Sequence, residues 1–424
     1  MIDTHYFKNK KISVVGLARS GVAAANLLYD LGAEVYITDI RDSESTRLYN
    51  AKLKSKNIKV ETGGHSRDFI IGKDLLVVSP GIPDTALPLT LARGFQVPVI
   101  SEIELAWILC PADVIAVTGS NGKTTVTTLI GKVLEAQGRR AFICGNIGNP
   151  FCSEVERMKA GDFVSLEVSS FQLENIHEFK PKIAVILNFT SNHLDRYKDM
   201  GRYLSAKKRI FMNQDEADFL ILNREDHTVS ELAKESKSRV KYFSGTKDLN
   251  PNQAAVVSVA SILGIEKAAC LEVFSKFKGI EHRLEYVKEL SNITFINDSK
   301  STTVDSAIWA LKNVSSPIVL IAGGRDKGND YSIISDAIRK KARCVILIGE
   351  AKEKIRKALA GSLLINEATS LREAVRLAFS KARSGDCVLL SPMCSSFDMF
   401  RDYEERGRIF KEAVSELTDD RDDT

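Results

Sequence analysis

At 424 residues the chain is longer than one ordinary hydrophobic core supports, so two or three domains are expected. Hydrophobic residues make up 44% and charged residues 27%, which is enough apolar material for a core in each domain. The formal net charge of +4 argues against a dedicated nucleic-acid binder and leaves small anions admissible as ligands.

In chain order, residues 1–11 are polar and lack the apolar stretch of a signal peptide. An apolar strand at 11–15 then runs into Gly16-Leu17-Ala18-Arg19-Ser20-Gly21 and an alanine-rich helix ending near Leu31. A second strand at 33–38 ends at Asp39, completing a βαβ unit of Rossmann-like type. Ala18 replaces the second glycine of the usual dinucleotide fingerprint. The loop remains an anion site at a helix N-terminus, with Asp39 placed to meet a ribose or base. A third strand at 74–78 opens into Ser79-Pro80-Gly81-Ile82-Pro83, a tight turn at the strand end where open α/β sheets bind ligands. A first boundary is expected near residues 97–102.

The second block starts with Val114-Ile115-Ala116-Val117-Thr118-Gly119-Ser120-Asn121-Gly122-Lys123-Thr124-Thr125, followed by a helical pattern to Gln137-Gly138. Strand, glycine loop, lysine, threonines and helix coincide as a nucleotide triphosphate requires. In the loop Gly119, Ser120, Asn121, Gly122 the glycines let backbone N–H groups close around the phosphates, Lys123 supplies a cation, and Thr124 offers a hydroxyl to Mg²⁺ beside Thr125. Val117 stands where the common P-loop has its first glycine, so the loop is a tighter variant. The chain is expected to bind ATP or a close relative.

Apolar strands follow at 163–168, 183–187 and 219–222, consistent with a buried, mostly parallel sheet. Glu167, at the end of the first of these, suits Mg²⁺ or a helix cap or ion pair. Asn188-Phe-Thr-Ser-Asn-His193-Leu-Asp-Arg follows the next strand. His193 there reads as a Mg²⁺ ligand, a donor to transferred phosphate, or a structural histidine. Tyr203-Leu-Ser-Ala-Lys207-Lys208-Arg209 reads as the start of a basic helix with a solvated face. The last helix of the block is expected from about Asn252, and a boundary at Lys278-Gly279.

The third block has strands at 294–296, 318–322, 344–349 and 387–391 alternating with helices, a third doubly wound α/β unit. It opens with Gly279-Ile-Glu-His282-Arg283, where an arginine at a hinge can swing onto phosphate. Asn297-Asp298-Ser299-Lys300-Ser301-Thr302, Ala322-Gly-Gly-Arg-Asp-Lys327 and Ser391-Pro-Met-Cys-Ser-Ser396 each follow a strand. Lys327 offers a cation to a carboxylate and Ser396 a donor at a helix start; each loop also reads as an ordinary turn or cap. The seven cysteines show no paired metal-ligand spacing, and Cys344 and Cys387 lie in strand-like runs, so buried reduced thiols are expected. The acidic tail, Asp419 to Asp423, reads as a solvated end. The whole is an α/β chain of three domains: residues 1–101 Rossmann-like, 102–278 P-loop ATPase-like, and 279–424 Rossmann-like.

These segments together resemble the Mur ligases. The matching motifs are Thr-Gly-Ser-Asn-Gly-Lys-Thr-Thr, Glu-Val-Ser-Ser-Phe-Gln-Leu-Glu, Asn-His-Leu-Asp-Arg, Ala-Lys, Glu-His-Arg, Asn-Asp-Ser-Lys and Ser-Pro-Met-Cys-Ser-Ser-Phe-Asp, in the family's order. Ser-Pro-Gly-Ile-Pro, Phe-Gln-Leu-Glu and the Ser396 segment point to the branch that adds D-glutamate.

The resemblance implies a cytoplasmic ATP-dependent amide ligase that adds D-glutamate to UDP-N-acetylmuramoyl-L-alanine through an acyl phosphate. Lys123 would hold phosphate, Thr124 and Glu167 one Mg²⁺, and His193 the second. Lys207 matches a lysine that carries a carbamate made from CO₂, which also supports the second ion. Leu17, Ala18, Arg19, Ser20, Gly21, Asp39, Ile40, Arg41, Ser79 and Gly81 would hold UDP, with Asn146 and His193 at the muramoyl group. Asn252 lies on the adenine side, and Arg283, Asp298 and Lys300 would close over the nucleotide. Lys327 and Thr302 would take the α-carboxylate of D-glutamate, Ser396 and Tyr403 its side-chain carboxylate.

Three positions depart from the family pattern. Pro251-Asn252-Gln253-Ala254-Ala255 keeps only the first asparagine of His-Asn-x-x-Asn, Asn192 stands in place of Asp, and Tyr403 in place of Phe. The competing readings are a folate-polyglutamylating relative, an NAD-dependent oxidoreductase and a regulatory ATPase; Ala18 and the P-loop weigh against the oxidoreductase. A monomer is expected, since no coiled-coil seam is evident.

Overall fold

The fold comes from a computed structural model that describes residues 4–190, 197, 199–277, 279–326, 328–359 and 364–418. His193, Asn192, Lys327 and the acidic tail lie outside the described residues. By compactness the chain divides into two units, Met1–Phe277 and Lys278–Thr424.

The first unit holds two sheets. Strands β1 (Lys11–Val15), β2 (Glu34–Asp39), β3 (Lys59–Thr62), β4 (Leu75–Val78) and β5 (Val99–Ser101) form the first, in the order β3-β2-β1-β4-β5. All its pairings are parallel. Strand order reverses between β1 and β4, and a ligand crevice belongs there. The residue after each of these strands turns into that crevice: Ser79 N–H donates to Val15 O at 3.0 Å, and the Ser79 hydroxyl to Gly16 O at 3.3 Å.

The second sheet contains β6 (Asp113–Thr118), β7 (Ala141–Gly145), β8 (Phe163–Glu167), β9 (Ile183–Ile186), β10 (Phe219–Asn223) and β11 (Arg239–Phe243), ordered β11-β10-β9-β6-β8-β7 and again parallel. Its interior strands are buried on both faces, which is why they read as continuous Val/Ile/Leu runs. The helix Lys123–Ala136 lays Val126, Leu129, Ile130, Val133 and Leu134 on the sheet. Each such side chain contributes about 1.5–3 kcal/mol on burial. Two helices, Pro251–Ile262 and Lys267–Lys276, end the unit, where the sequence indicated one. The first is set by a capping box between Asn250 and Gln253.

The second unit is one sheet: β12 (Glu285–Leu290), β13 (Ile293–Asn297), β14 (Ile318–Gly323), β15 (Ala342–Ile348), β16 (Leu364–Glu367) and β17 (Cys387–Leu390), in the order β12-β13-β17-β14-β15-β16. Only β12 is antiparallel, joined to β13 through Ser291 and Asn292, both at positive φ. Hydrophobic clusters cover both faces. All seven cysteines are free, and six of them buried. Among the described residues no helix is long and apolar enough to cross a membrane.

Candidate active site

At the crest of the first sheet, Asp39 is almost wholly buried and its carboxylate is committed internally. Oδ2 accepts from Leu17 N–H at 2.9 Å; Oδ1 accepts from Arg41 N–H at 2.9 Å and from Arg41 Nε at 3.1 Å. Burial alone would raise this carboxyl, but the Arg41 guanidinium and the Arg41 and Leu17 N–H groups hold it below the usual carboxylate range. Asp39 therefore fixes the Gly16–Ala18 and Ile40–Arg41 loops against each other. Ile40 is 60% exposed beside them, and Arg19 reaches the Gly148 carbonyl of the next sheet's crest. Gly16 and Gly21 cannot carry a side chain here: a Cβ on Gly21 would lie 1.8 Å from Gly16 O. The crevice is left lined by backbone, as a nucleotide needs.

The P-loop follows β6, with Gly119 at φ 152° and Gly122 at φ 82°, the second ending the loop at the helix start. A Cβ on Gly122 would sit 2.4 Å from Asn252 Oδ1, so the asparagine of the following helix borders the loop. Lys123 Nζ folds back onto the carbonyls of Gly119 and Ser120, at 2.9 and 3.0 Å. Thr124 is buried at the first turn and Thr125 half-buried beside it. The Ser120 hydroxyl turns inward, donating to Thr190 O at 3.1 Å and accepting from Thr190 N–H at 2.9 Å. Asn121 is gripped by Asn188 on both sides of its peptide.

Glu167 closes β8 immediately before a capping box of Ser169 and Gln172. Among the described residues it neither caps a helix nor forms an ion pair. Oε1 accepts from Asn146 Nδ2 at 2.8 Å, and Oε2 is buried without a hydrogen-bond partner. Asn146 reaches it because Gly145, at φ 103°, allows β7 to turn where a Cβ would meet Glu167 O at 2.3 Å.

The basic run expected as a solvated face is divided by burial. The helix spans Met200–Lys208 with Asp199 as its cap, so Tyr203 lies inside it and not at its start. Lys207 is 1% exposed; its Nζ donates to Gly119 O at 3.0 Å and lies 4.5 Å over the Tyr203 ring. Burial, and then the nearby Lys123 charge, hold this amine well below the ordinary lysine value. Lys208 instead pairs at the surface with Glu235.

In the second unit, Asp298 is buried after β13, accepting from the Ser391 hydroxyl at 2.9 Å and from Leu284 N–H at 3.2 Å. Burial pushes its carboxyl up to about 6, against the pull of the Ser391 hydroxyl and the Arg283 charge. Arg283 has a buried Nε without a partner. Lys300 Nζ lies 5.6 Å over the Tyr403 ring, and Thr302 N–H donates to Lys300 O at 2.9 Å.

Ser396 is buried and accepts through its carbonyl from Met399 and Phe400 N–H, whereas the following helix begins at Tyr403 under an Asp402 cap. Ser396 thus belongs to a loop turn and not to the helix start expected from its sequence. Arg406 joins the two loops. It is fully buried, donating from Nε to the Ser299 hydroxyl, from Nη2 to Ser299 O and from Nη1 to Cys394 O.

Sequence reasoning passed over Asn188, Tyr203 as a packing partner, and Arg406. Asn188 had a usable signal, a polar residue directly after an apolar strand. Arg406, mid-helix among charged neighbours, gave none.

A P-loop on one parallel sheet, with strand-end loop clusters on each of the other two sheets, defines a nucleotide-using α/β enzyme. Family models match along the chain: Mur ligase MurD-like, N-terminal domain over residues 10–101; Mur ligase middle domain over 117–283; and Mur ligase, glutamate ligase domain over 282–394. The chain belongs to the Mur ligase family. It is 39% identical over 464 residues to the UDP-N-acetylmuramoylalanine--D-glutamate ligase of Chloroherpeton thalassium, covering 97% of this chain and 99% of that one. With the enzyme of the same name from Koribacter versatilis it shares 40% over 447 residues, covering 97% and 98%. Among solved structures, UDP-N-acetylmuramate-alanine ligase of Thermotoga maritima shares the fold, with a TM-score of 0.62 at 21% identity over 96% of this chain and 99% of that one.

Proposed function

We propose that this chain is the ATP-dependent ligase that joins D-glutamate to UDP-N-acetylmuramoyl-L-alanine in peptidoglycan precursor synthesis. The observation that carries this reading is the 40% identity to a D-glutamate ligase across 97% of the chain. In the reaction the substrate carboxylate attacks the γ-phosphorus of ATP and ADP leaves. The amine of D-glutamate then attacks the acyl carbon, and phosphate departs with both electrons of the C–O bond. Such chemistry depends on positioning and charge neutralisation.

Lys123, turned onto its own loop, is within reach of a phosphate that replaces those carbonyls. Gly119 to Thr125 and Asn252 bind the nucleotide; Arg283, Asp298 and Lys300 also serve it. Leu17 to Gly21, Asp39 to Arg41, Ser79 and Gly81 bind UDP, and Asn146 the muramoyl group. Thr302, Lys327, Ser396 and Tyr403 receive the amino acid. Three domains, 1–101, 102–278 and 279–424, divide these tasks in a cytoplasmic monomer.

Mg²⁺ suits the oxygen donors Thr124 and Glu167, because the orphaned Glu167 Oε2 lacks the partner that a buried carboxylate oxygen requires. When bound, the ion supplies charge neutralisation on phosphate; His193 is proposed to hold a second. Lys207 suits carbamate formation. Its buried amine favours the neutral form, whose lone pair adds to CO₂ with loss of a proton, replacing a cation by an anion.

The test is ADP release with ATP, Mg²⁺, bicarbonate and both substrates, leaving out each in turn. Release is expected only with the full set, with a UDP-linked product heavier by one glutamate. CO₂-depleted buffer should lower the rate, and Lys207→Ala should abolish that dependence along with most of the activity. Release with a different amino acid alone would reject D-glutamate as the substrate.

A further inference from the structure

In a glycine-rich loop every backbone N–H is a potential phosphate donor. Two are already spent. Ser120 N–H donates to Asn188 O at 3.1 Å, and Asn121 N–H to Asn188 Oδ1 at 2.8 Å. Asn188 Nδ2 returns a bond to Asn121 O at 3.1 Å, so the side-chain amide and the loop peptide pair reciprocally. A flipped amide would set donor against donor and acceptor against acceptor, so only one orientation of the Asn188 side chain fits. The Thr190 backbone adds two bonds to the Ser120 hydroxyl. Asn188 itself is anchored where β9 ends, next to Leu187, whose N–H donates to Thr118 O at 3.0 Å.

We propose that Asn188 is a positioning residue for ATP: by occupying the Ser120 and Asn121 N–H groups it leaves the helix-start donors, among them those of Thr124 and Thr125, to set the register of the phosphates. Those first-turn N–H groups have no carbonyl four residues back within the helix. This inference rests on the ATP reading above.

Two substitutions separate positioning from simple support. Asn188→Ala removes both side-chain bonds and frees Asn121 N–H. Asn188→Asp keeps the acceptor for Asn121 N–H but turns a carboxylate oxygen toward Asn121 O and brings negative charge to the phosphate. ATP and ADP affinities are measured by equilibrium binding with Mg²⁺, alongside steady-state constants and melting temperature. The expected result is ATP binding about tenfold weaker in N188A and weaker again in N188D, with KM for the amino acid and the UDP-substrate within about twofold. Asn188→Ser, which retains a short polar side chain, should recover part of the loss and serves if N188A does not fold. Folded N188A and N188D proteins with wild-type ATP affinity would overturn the proposal, as would equal losses for all three substrates. A wild-type protein that binds ATP yet forms no glutamyl product would reject the ligase reading and leave the nucleotide comparison standing.

Discussion

Gly119 presents one carbonyl oxygen to two lysines, Lys123 at 2.9 Å and Lys207 at 3.0 Å. Two ammonium groups on one acceptor repel, and the buried one yields its proton more readily. The site thus discourages the charge that solvent would give Lys207. Glu102 is the corresponding case among the acids. Oε1 accepts from Cys152 N–H at 2.7 Å while Oε2 is buried without a partner. Burial pushes its carboxyl up to about 7, despite the bond from Cys152 N–H. The folded chain therefore keeps a proton that the unfolded chain releases. The associated stability is full below pH 4.5 and disappears as pH rises through about 7. A shift of that size corresponds to about 3 kcal/mol. Glu102→Gln should be more stable than wild type at pH 8 and lose that advantage at pH 4.5, measured by urea unfolding at both values. An advantage of the same size at both pH values would contradict the assignment.

Among the elements, the helix Lys123–Ala136 depends on a left-handed residue at its start. An alanine at Gly122 takes on the left-handed conformation at about 1 kcal/mol and drives its Cβ into Asn252. Gly122→Ala should raise KM for ATP at least tenfold with KM for D-glutamate unchanged; an unchanged KM for ATP would show that Asn252 does not border the nucleotide. The strands show what a sequence discloses. Every interior strand of the three sheets stood out as an apolar run, β6, β9 and β14 most clearly. Every edge strand, β3, β5, β7, β11, β12 and β16, went unread. The reason is physical. An interior parallel strand is covered on both faces, whereas β11 reads Arg-Val-Lys-Tyr-Phe and β12 Glu-Tyr-Val-Lys-Glu-Leu, each mostly outside the core. The same limit applies at the site. Glycine loops at strand ends are local and visible, as at Gly119 and Gly122. The burial of Lys207 and Arg406 depends on distant segments and leaves no local trace.

At the scale of the molecule, the first two sheets share one hydrophobic cluster, in which Ile12, Val14 and Leu27 join Val114, Leu166 and Ile186. The connection after β5 fastens them. Ser101 N–H donates to Asn175 O at 2.7 Å, and the Glu104 carboxylate accepts from Glu178 and Phe179 N–H at 2.7 and 3.1 Å. A chain ending at Phe277 should therefore unfold in a single transition by circular dichroism, and one ending at Ser101 should fail to fold. Two separate transitions in the longer chain would contradict this coupling. The edge strands have a consequence of another kind. Three open sheets end in six edge strands, and outward N–H and C=O groups left unpaired on such a strand are a template for a second copy. Lysine, arginine and glutamate on β3, β11 and β12, and the three-residue length of β5, make these four poor templates. Resistance to edge-to-edge aggregation at high concentration is thus written into the strands that are hardest to find.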